Sequence, residues 1–224
     1  MVQTRIAFSL AAALLLSPAI DAQEHTTGKF HGCPPEGKAH SSEGFFDPIL
    51  NGLKNGDRAP AQVEDRKLAD VIAKHPQSLQ DMGKKLREKW SPQALEAARA
   101  FEEDGSRIEG RLIAIRTSGA EACNCGKENS LDMHVWIATK ASSEAKANHS
   151  MVVELSPRLP DIQAFHDRLV QLAKHGTRIR VRGWMLWDEE HGSEVGKSRG
   201  TLWEIHPVHE IEVFTHGEWV ALAE

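Results

Sequence analysis

The sequence has no tyrosine, only three cysteines and few aromatic residues, 6% of the chain. The absence of tyrosine removes a common amphipathic side chain from any binding surface. No Gly-x-Ser-x-Gly motif and no glycine-rich phosphate loop are present, so nothing supports nucleophilic catalysis or P-loop phosphate binding. Basic residues are not in excess either: 27 against 32 acidic residues give a net charge of −5. This balance disfavours a nucleic-acid domain that relies on a general positive field, although a local patch would still allow binding.

Long apolar runs are also absent, except at the N-terminus. Arg5 precedes an apolar stretch over residues 6–16, and Ser17, Pro18 and Ala22 follow it. The stretch is shorter than the about 20 residues that a membrane span requires, and this layout is typical of a cleaved signal peptide, 1–22. We therefore predict a periplasmic or secreted protein with no membrane span after cleavage. A buried N-terminal helix is the alternative interpretation.

The three cysteines are Cys33, Cys123 and Cys125. Disulfides form in exported proteins, and three thiols allow at most one bridge. We expect Cys33 to pair with Cys123 or Cys125, which would tie the N-terminal region to the later domain. A strained bridge between Cys123 and Cys125 is the competing hypothesis. A site that binds a metal through cysteines alone is less favoured, because Cys-x-Cys lacks the spacing of established zinc motifs.

Residues 23–60 are rich in Gly, Pro, Ser and His and show no periodicity, so we predict an irregular arm there. Its His25, His31, Cys33 and His40 could bind a soft metal, but a polar tail is favoured, because no pair of these residues has the spacing of a known metal site. Residues 61–104 form a predicted helical segment. Two apolar stripes cover 63–72 and 79–90, and a third helix begins at Ser91-Pro92 and ends at Gly105.

Strand patterns dominate after this segment. Alternating residues predict strands over 106–117, 131–138, 151–155, 177–187 and 199–214, and a helix over 160–176 separates the third strand from the fourth. Gly110 lies where the first strand would bend. Three strands, a helix and two strands follow the order of the OB-fold. We predict an α+β fold: a five-stranded OB-like β-barrel (β-β-β-α-β-β, 105–216) preceded by a helical segment, with a C-terminal tail at 217–224.

Three motifs in the predicted barrel carry a resemblance. LDMHVWIA, VVELSPR and RGTLWEIHPVHEIEV resemble segments of exported bacterial OB-fold-like proteins of unassigned function. The resemblance covers about residues 105–214. It implies an OB-like fold and no particular activity.

In this topology the second and third strands pair and the fifth lies beside the third. Their polar faces would then bring five side chains together: Asp132, His134, Glu154, Glu204 and His206. Imidazoles and carboxylates at this spacing could bind a divalent ion such as Zn²⁺ or Mn²⁺, or polarise a water molecule. Arg158 could then contact an anionic substrate. The favoured interpretation, however, is cross-strand polar pairing on a solvated sheet face, because alternating polar residues are what an exposed sheet face requires.

Two further candidate surfaces are weaker. Trp136, Trp184, Trp187 and Trp203, with Arg178, Arg180 and Arg182, could stack and hold single-stranded nucleic acid, but packing in the core is favoured for each Trp. The acidic loop 188–194 could bind Ca²⁺, but a solvated turn is favoured there, because the spacing lacks an EF-hand pattern.

Taken together, these features favour a non-catalytic protein that binds a small ligand or protein partner in the periplasm or outside the cell. The alternative is a metal-dependent hydrolase acting on phosphoesters or nucleic acid. The cofactor suggested by the histidine and carboxylate residues is a divalent metal ion.

Overall fold

The computed structural model describes residues 26–39, 45–141 and 146–222. The expected signal peptide, together with His25 and His40 of the arm, lies outside these ranges. Within them the helices are Pro48–Lys54 (α1), Leu68–Ala73 (α2), Gln77–Gln80 (α3), Pro92–Glu102 (α4), Pro160–Gln163 (α5) and His166–Lys174 (α6). The strands are Val63–Lys67 (β1), Gly105–Thr117 (β2), Met133–Ala138 (β3), Ser150–Leu155 (β4), Arg178–Trp187 (β5), Trp203–Thr215 (β6) and Glu218–Ala221 (β7).

Five of these strands form a closed mixed β-barrel. Its order is β2-β3-β4-β6-β5, and pairing of β5 with β2 closes the circuit. Only β4 and β6 run parallel within it. The α5–α6 region lies between the third and fourth barrel strands in the chain, so the predicted OB-like order and the α+β class are confirmed.

Strand β2 closes the barrel because it pairs with two neighbours along its length. Residues 105–111 pair with β5 and residues 111–117 with β3. Gly110 lies next to this change of partner, where the sequence predicted a bend. A Cβ at this position would lie 3.0 Å from the Cβ of Ile137 and 3.0 Å from Cδ2 of Leu68. Glycine therefore allows the close approach of α2 and β3 to the bent strand.

The last barrel strand, β6, keeps its predicted core face. Trp203, Ile205 and Ile211 are buried inside the barrel. Between Ile205 and Ile211 the pairing of β6 with β5 has two register irregularities, both next to Gly183 of β5. Each irregularity adds one residue to β6 and so reverses which face its side chains point to, and the second reversal cancels the first. Residues on both sides of the irregular region therefore point to the same face.

The core joins the barrel interior to the helices that cover one end of it. Trp187 and Trp203 pack edge to face with ring centroids 5.1 Å apart, and Phe101 of α4 stacks on Trp203 at 4.5 Å. Leu169 of α6 is fully buried in the same core. Burying each of these side chains contributes about 1.5–3 kcal/mol. Trp187 and Trp203, two of the four candidate tryptophans, are therefore core residues, as the favoured interpretation predicted.

The predicted helical segment is only partly helical. Its first stripe begins with strand β1, which pairs in parallel with β2 from Val63↔Gly105 onward. The free edge of β2 satisfies backbone groups of this short polar segment, which local periodicity does not reveal. The second stripe forms only α3 and a 3-10 helix at Arg87–Lys89. The third prediction is confirmed: the Ser91 hydroxyl caps α4 by accepting from Ala94 N at 3.2 Å, and a proline opens the helix.

The arm and the C-terminal tail are also more ordered than predicted. The arm contains α1, which is capped by the Asp47 carboxylate, and the tail contains β7, which forms a hairpin with β6. A disulfide joins Cys33 to Cys125 with their Cα atoms 5.8 Å apart, so one of the two expected pairings is confirmed. Cys123 is a buried free thiol. No helix in the described ranges has the length and apolar character that crossing a membrane requires.

Candidate metal centre

Strand register brings the predicted polar residues onto one sheet face. His134 of β3 lies directly opposite Glu154 of β4. The parallel β4–β6 ladder pairs Val152 with Glu204, which places Glu154 beside the stretch that contains His206. Asp132 immediately precedes β3. The structure therefore brings together five of the six predicted binding or metal residues.

This face is buried, so the interpretation as a solvated sheet face is wrong. Asp132, Glu204 and His206 are 0% exposed and Glu154 is 1% exposed. Only His134, at 15% of its side chain, reaches the surface. The reason is tertiary: two segments that are distant in sequence lie over the face. One is the loop that contains the 3-10 helix Ala122–Asn124, and the other leads from β5 to β6 and carries Arg199.

Six side chains, four from this face and two from the loop that lies over it, contact one another in a closed circuit, which we call the ligand ring. Each of its six contacts joins an acidic side chain to an imidazole or a thiol, and all six distances lie between 3.1 and 3.7 Å. In order around the circuit its members are Glu121, His134, Glu154, His206, Asp132 and Cys123.

The inner part of the ring centres on His206. Its Nδ1 lies 3.1 Å from Oε2 of Glu154 and 3.6 Å from Oε1 of Glu204. Its Nε2 faces Oδ1 of Asp132 at 3.5 Å. A carboxylate behind the second ring nitrogen is the usual way in which proteins orient a histidine that binds a metal through the first. Nδ1 is therefore the nitrogen positioned to act as a ligand.

The outer part of the ring lies near the surface. Nε2 of His134 is 3.2 Å from Oε1 of Glu154 and 3.5 Å from Oε1 of Glu121. Sγ of Cys123 completes the circuit at 3.6 Å from Oδ2 of Asp132 and 3.7 Å from Oε2 of Glu121. Burial raises the pKa of the Cys123 thiol well above its ordinary value, with the nearby carboxylates adding to the effect. The sulfur therefore enters the ring as a neutral thiol.

Most ligand atoms of the ring, and Oε1 of the neighbouring Glu204, lack a hydrogen bond. Among the described residues none accepts from or donates to Oδ1 of Asp132, either Glu154 oxygen, Nε2 of His134, Oε1 of Glu204 or either ring nitrogen of His206 with hydrogen-bond geometry. Buried polar atoms are normally satisfied, and leaving one unpaired costs about 1–3 kcal/mol. The contact distances also match about 3.4 Å, the edge of a tetrahedron whose centre lies about 2.0–2.2 Å from each ligand, as in zinc sites. The atoms therefore fit a shared cation better than they fit hydrogen bonds to each other.

Electrostatics in the ring favour two positive charges. Burial opposes charging of the imidazoles, but the carboxylates, with Glu154 foremost, raise the pKa of His206 to about 10 and that of His134 to about 11. Burial would raise the pKa of Glu154, but the two imidazolium groups hold it well below its usual range. For Asp132 and Glu204 burial prevails and raises the pKa. A divalent cation carries the charge of two imidazolium protons, so exchange of the protons for the ion leaves the total charge unchanged.

Two buried cations stand beside the ring. Nη1 of Arg199 lies 3.0 Å from Oε2 of Glu204, the oxygen that faces away from His206. Nζ of Lys54 lies 2.9 Å from Oδ2 of Asp188 and 2.7 Å from Oε2 of Glu190. This ammonium occupies the centre of the acidic loop that the sequence offered as a Ca²⁺ site. The acidic end of this loop thus faces a protein cation, whereas Gly192 and Ser193 are exposed, as in the favoured solvated turn.

Arg158 lies apart from the ring. Its guanidinium donates to Oδ1 of Asn55 at 2.7 Å and to the carbonyl oxygens of Gly28, Cys33 and Pro34 at 3.2–3.4 Å. These contacts hold the arm against the barrel. The predicted role in binding an anionic substrate is therefore not supported by its position.

The aromatic and basic surface is largely neutralised by cross-strand ion pairs. Arg178 pairs with Glu109 and Arg180 with Glu212, both through short bonds. Arg182 contacts Glu210 at 3.4 Å. Since these carboxylates already occupy the guanidinium groups, the strand offers little uncompensated charge to a phosphate backbone.

Sequence reasoning missed Glu121, Arg199 and the position of Cys123 in the ring. Glu121 and Cys123 lie in a loop without strand periodicity, so no pattern connected them to the sheet face. The one sequence signal for this loop was Cys125, because a disulfide to Cys33 fixes the loop against the arm. Arg199 was assigned to the last strand, whereas it precedes β6 and reaches back to Glu204.

No protein-family model matches the chain, and a search of curated proteins finds no match. A proposal for the function therefore rests on the ligand types and the geometry of the ligand ring.

Proposed function

We propose that this protein is an exported, non-catalytic metal-binding protein that holds a divalent transition-metal ion between His206, Glu154 and Glu204. The observation that supports this proposal is the convergence of buried ligand atoms without hydrogen-bond partners. The candidate ligand atoms of the three residues lie within 4.8 Å of one another, and all three side chains are at most 1% exposed. Leaving both oxygens of Glu154 and Oε1 of Glu204 without a hydrogen bond would be costly, and a bound ion removes that cost.

The ligand types point to zinc-like ions. One imidazole nitrogen and carboxylate oxygens suit Zn²⁺, Mn²⁺ and Cu²⁺. Ca²⁺ usually takes six to eight oxygen ligands, which this group does not offer. Zn²⁺ is therefore the first ion to test.

Burial is the reason to favour binding over hydrolysis. A catalytic metal keeps an open position for water and substrate. Three of the residues around the inner group, Asp132, Glu204 and His206, have no exposed surface, so neither a phosphoester nor a nucleic-acid strand has a direct approach to an ion held in that group. The same burial favours slow exchange of the ion. Slow exchange suits metal storage, metal transport or a structural metal site.

Export is supported by two independent features. The predicted signal peptide, 1–22, precedes the arm, and the arm carries the cysteine that bridges to Cys125. Structural disulfides persist in oxidising compartments such as the periplasm. The metal would then be bound outside the cytoplasm.

The test is metal binding by the metal-free protein. Full-length mature protein stripped with EDTA should bind Zn²⁺ in a competition titration with a chromophoric chelator. His206→Gln, which removes the Nδ1 ligand, should weaken the tightest binding at least 100-fold. His209→Gln is the matched control, because His209 lies on the same strand with its Nε2 against the Gly56 carbonyl, away from the ring. Binding that is undetectable in the wild type, or equal in the wild type and His206→Gln, would refute the proposal.

A further inference from the structure

We infer that the ligand ring holds a second metal ion near the surface, bound by Glu121 and His134, and that Glu154 bridges the two ions. This inference rests on the proposed function, since it adds an outer ion to the inner one. It assigns a distinct role to each oxygen of a single buried carboxylate.

The two oxygens of Glu154 face different imidazoles. Oε2 lies 3.1 Å from Nδ1 of His206, and Oε1 lies 3.2 Å from Nε2 of His134. Neither oxygen has a hydrogen-bond partner among the described residues, and the residue is 1% exposed. One ion in the inner group would satisfy only the oxygen on its own side. A carboxylate that bridges two ions satisfies both.

The outer group has a complete set of ligands of its own. Candidate ligand atoms of Glu121, His134 and Glu154 lie within 4.8 Å of one another, as in the inner group. Nε2 of His134 is buried, although the side chain as a whole is 15% exposed, and that of Glu121 is 18% exposed. An ion here would border solvent and could complete its coordination with water. We therefore expect the outer ion to exchange faster than the inner one.

The surrounding charges can accommodate two ions. Four carboxylates face the two groups: those of Glu121, Asp132, Glu154 and Glu204. Arg199 is the cation in direct contact with them, at 3.0 Å from Glu204. Lys54 is 3.9 Å from Glu121, but its ammonium is held more closely by Asp188 and Glu190. When both imidazoles have lost their protons to bind metal, the four carboxylates carry one negative charge more than one divalent ion and this guanidinium neutralise.

Two measurements on the full mature chain test this inference. The first is Zn²⁺ stoichiometry of the metal-free protein by titration and elemental analysis: the wild type should bind two equivalents and Glu121→Gln one, with the affinity of the inner site changed less than tenfold. Glu128→Gln is the matched control, because Glu128 is an exposed acid beyond the same loop, and it should bind two. The second is electron paramagnetic resonance of protein loaded with Mn²⁺, in which the wild type should show spin coupling between two ions and Glu121→Gln the six-line spectrum of an isolated ion.

The outcomes separate the two proposals. One equivalent in the wild type, with no spin coupling, would overturn the second site and leave the proposed function standing. No bound metal would overturn both. If circular dichroism shows that Glu121→Gln does not fold, the stoichiometry and spectrum of the wild type decide the matter alone.

Discussion

Replacing Glu189 with glutamine should stabilise the protein at alkaline pH and leave it nearly unchanged at acidic pH. Glu189 is 2% exposed, and neither carboxylate oxygen has a hydrogen-bond partner among the described residues. Its nearest cation, Nε of Arg87, is 3.6 Å away, and that guanidinium already donates two 2.9 Å bonds to Glu102. Burial therefore dominates and raises the pKa of Glu189 from 4.5 to about 8, although Arg87 opposes the shift.

The sign of the effect follows from linkage between ionisation and folding. The unfolded carboxyl group ionises near pH 4.5, whereas the folded one retains its proton until about pH 8. Stability therefore falls as the pH rises through this window, because the unfolded state loses its proton first. Each pKa unit corresponds to about 1.4 kcal/mol, so the cost of Glu189 approaches about 4 kcal/mol at pH 8 and vanishes below pH 4.5. Glutamine has nearly the same volume and no charge, so it should recover much of this free energy.

The assay is urea unfolding of metal-free wild-type and Glu189→Gln protein at pH 5 and pH 8. The free energy of unfolding should be higher in the variant by at least about 2 kcal/mol at pH 8 and by less than about 1 kcal/mol at pH 5. Glu128→Gln controls for removal of an exposed charge. A variant that is less stable than the wild type at pH 8 would refute the reasoning, since it would show that the contact with Arg87 stabilises the fold overall.

Three other substitutions should destabilise the fold for different reasons. Lys54→Met removes the cation that faces Asp188 at 2.9 Å and should cost about 3–5 kcal/mol in chemical unfolding; an unchanged midpoint would mean that the ammonium does not compensate the carboxylates. Gly183→Ala would place a Cβ 2.2 Å from the Pro207 carbonyl oxygen, so a loss of about 2 kcal/mol or more is expected in thermal unfolding, and a loss below about 0.5 kcal/mol would contradict the tight approach. Cys33→Ser opens a bridge between residues 92 positions apart and should cost up to about 4–5 kcal/mol under non-reducing conditions; equal stability would show that noncovalent contacts alone hold the arm.

The barrel was largely predictable because its strands alternate cleanly. Period-2 patterns located the five barrel strands, and their order around the helix identified the OB-like topology. The same alternation placed His134 and His206 on the polar face. The bulges near Gly183 did not disturb this result, because they occur as a pair and restore the original parity.

Other elements depended on partners far away in the sequence. Val63–Lys67 contains too few apolar residues to signal a buried strand, and it is a strand because the edge of β2 supplies its hydrogen-bond partners. The C-terminal strand β7 forms on β6 for the same reason. Strands that form mainly through backbone pairing with a distant edge cannot be recognised from their local amino-acid composition.

The candidate metal centre shows the same division between local and long-range information. Alternation along three strands was enough to group Asp132, His134, Glu154, Glu204 and His206, because side-chain direction in a strand is set by position alone. Whether that face is exposed to solvent or covered by protein depends on other segments of the chain, which the alternation along these strands does not describe. In the folded chain the loop of Glu121 and Arg199 cover it, and burial turns an ordinary polar sheet face into a desolvated group of ligands.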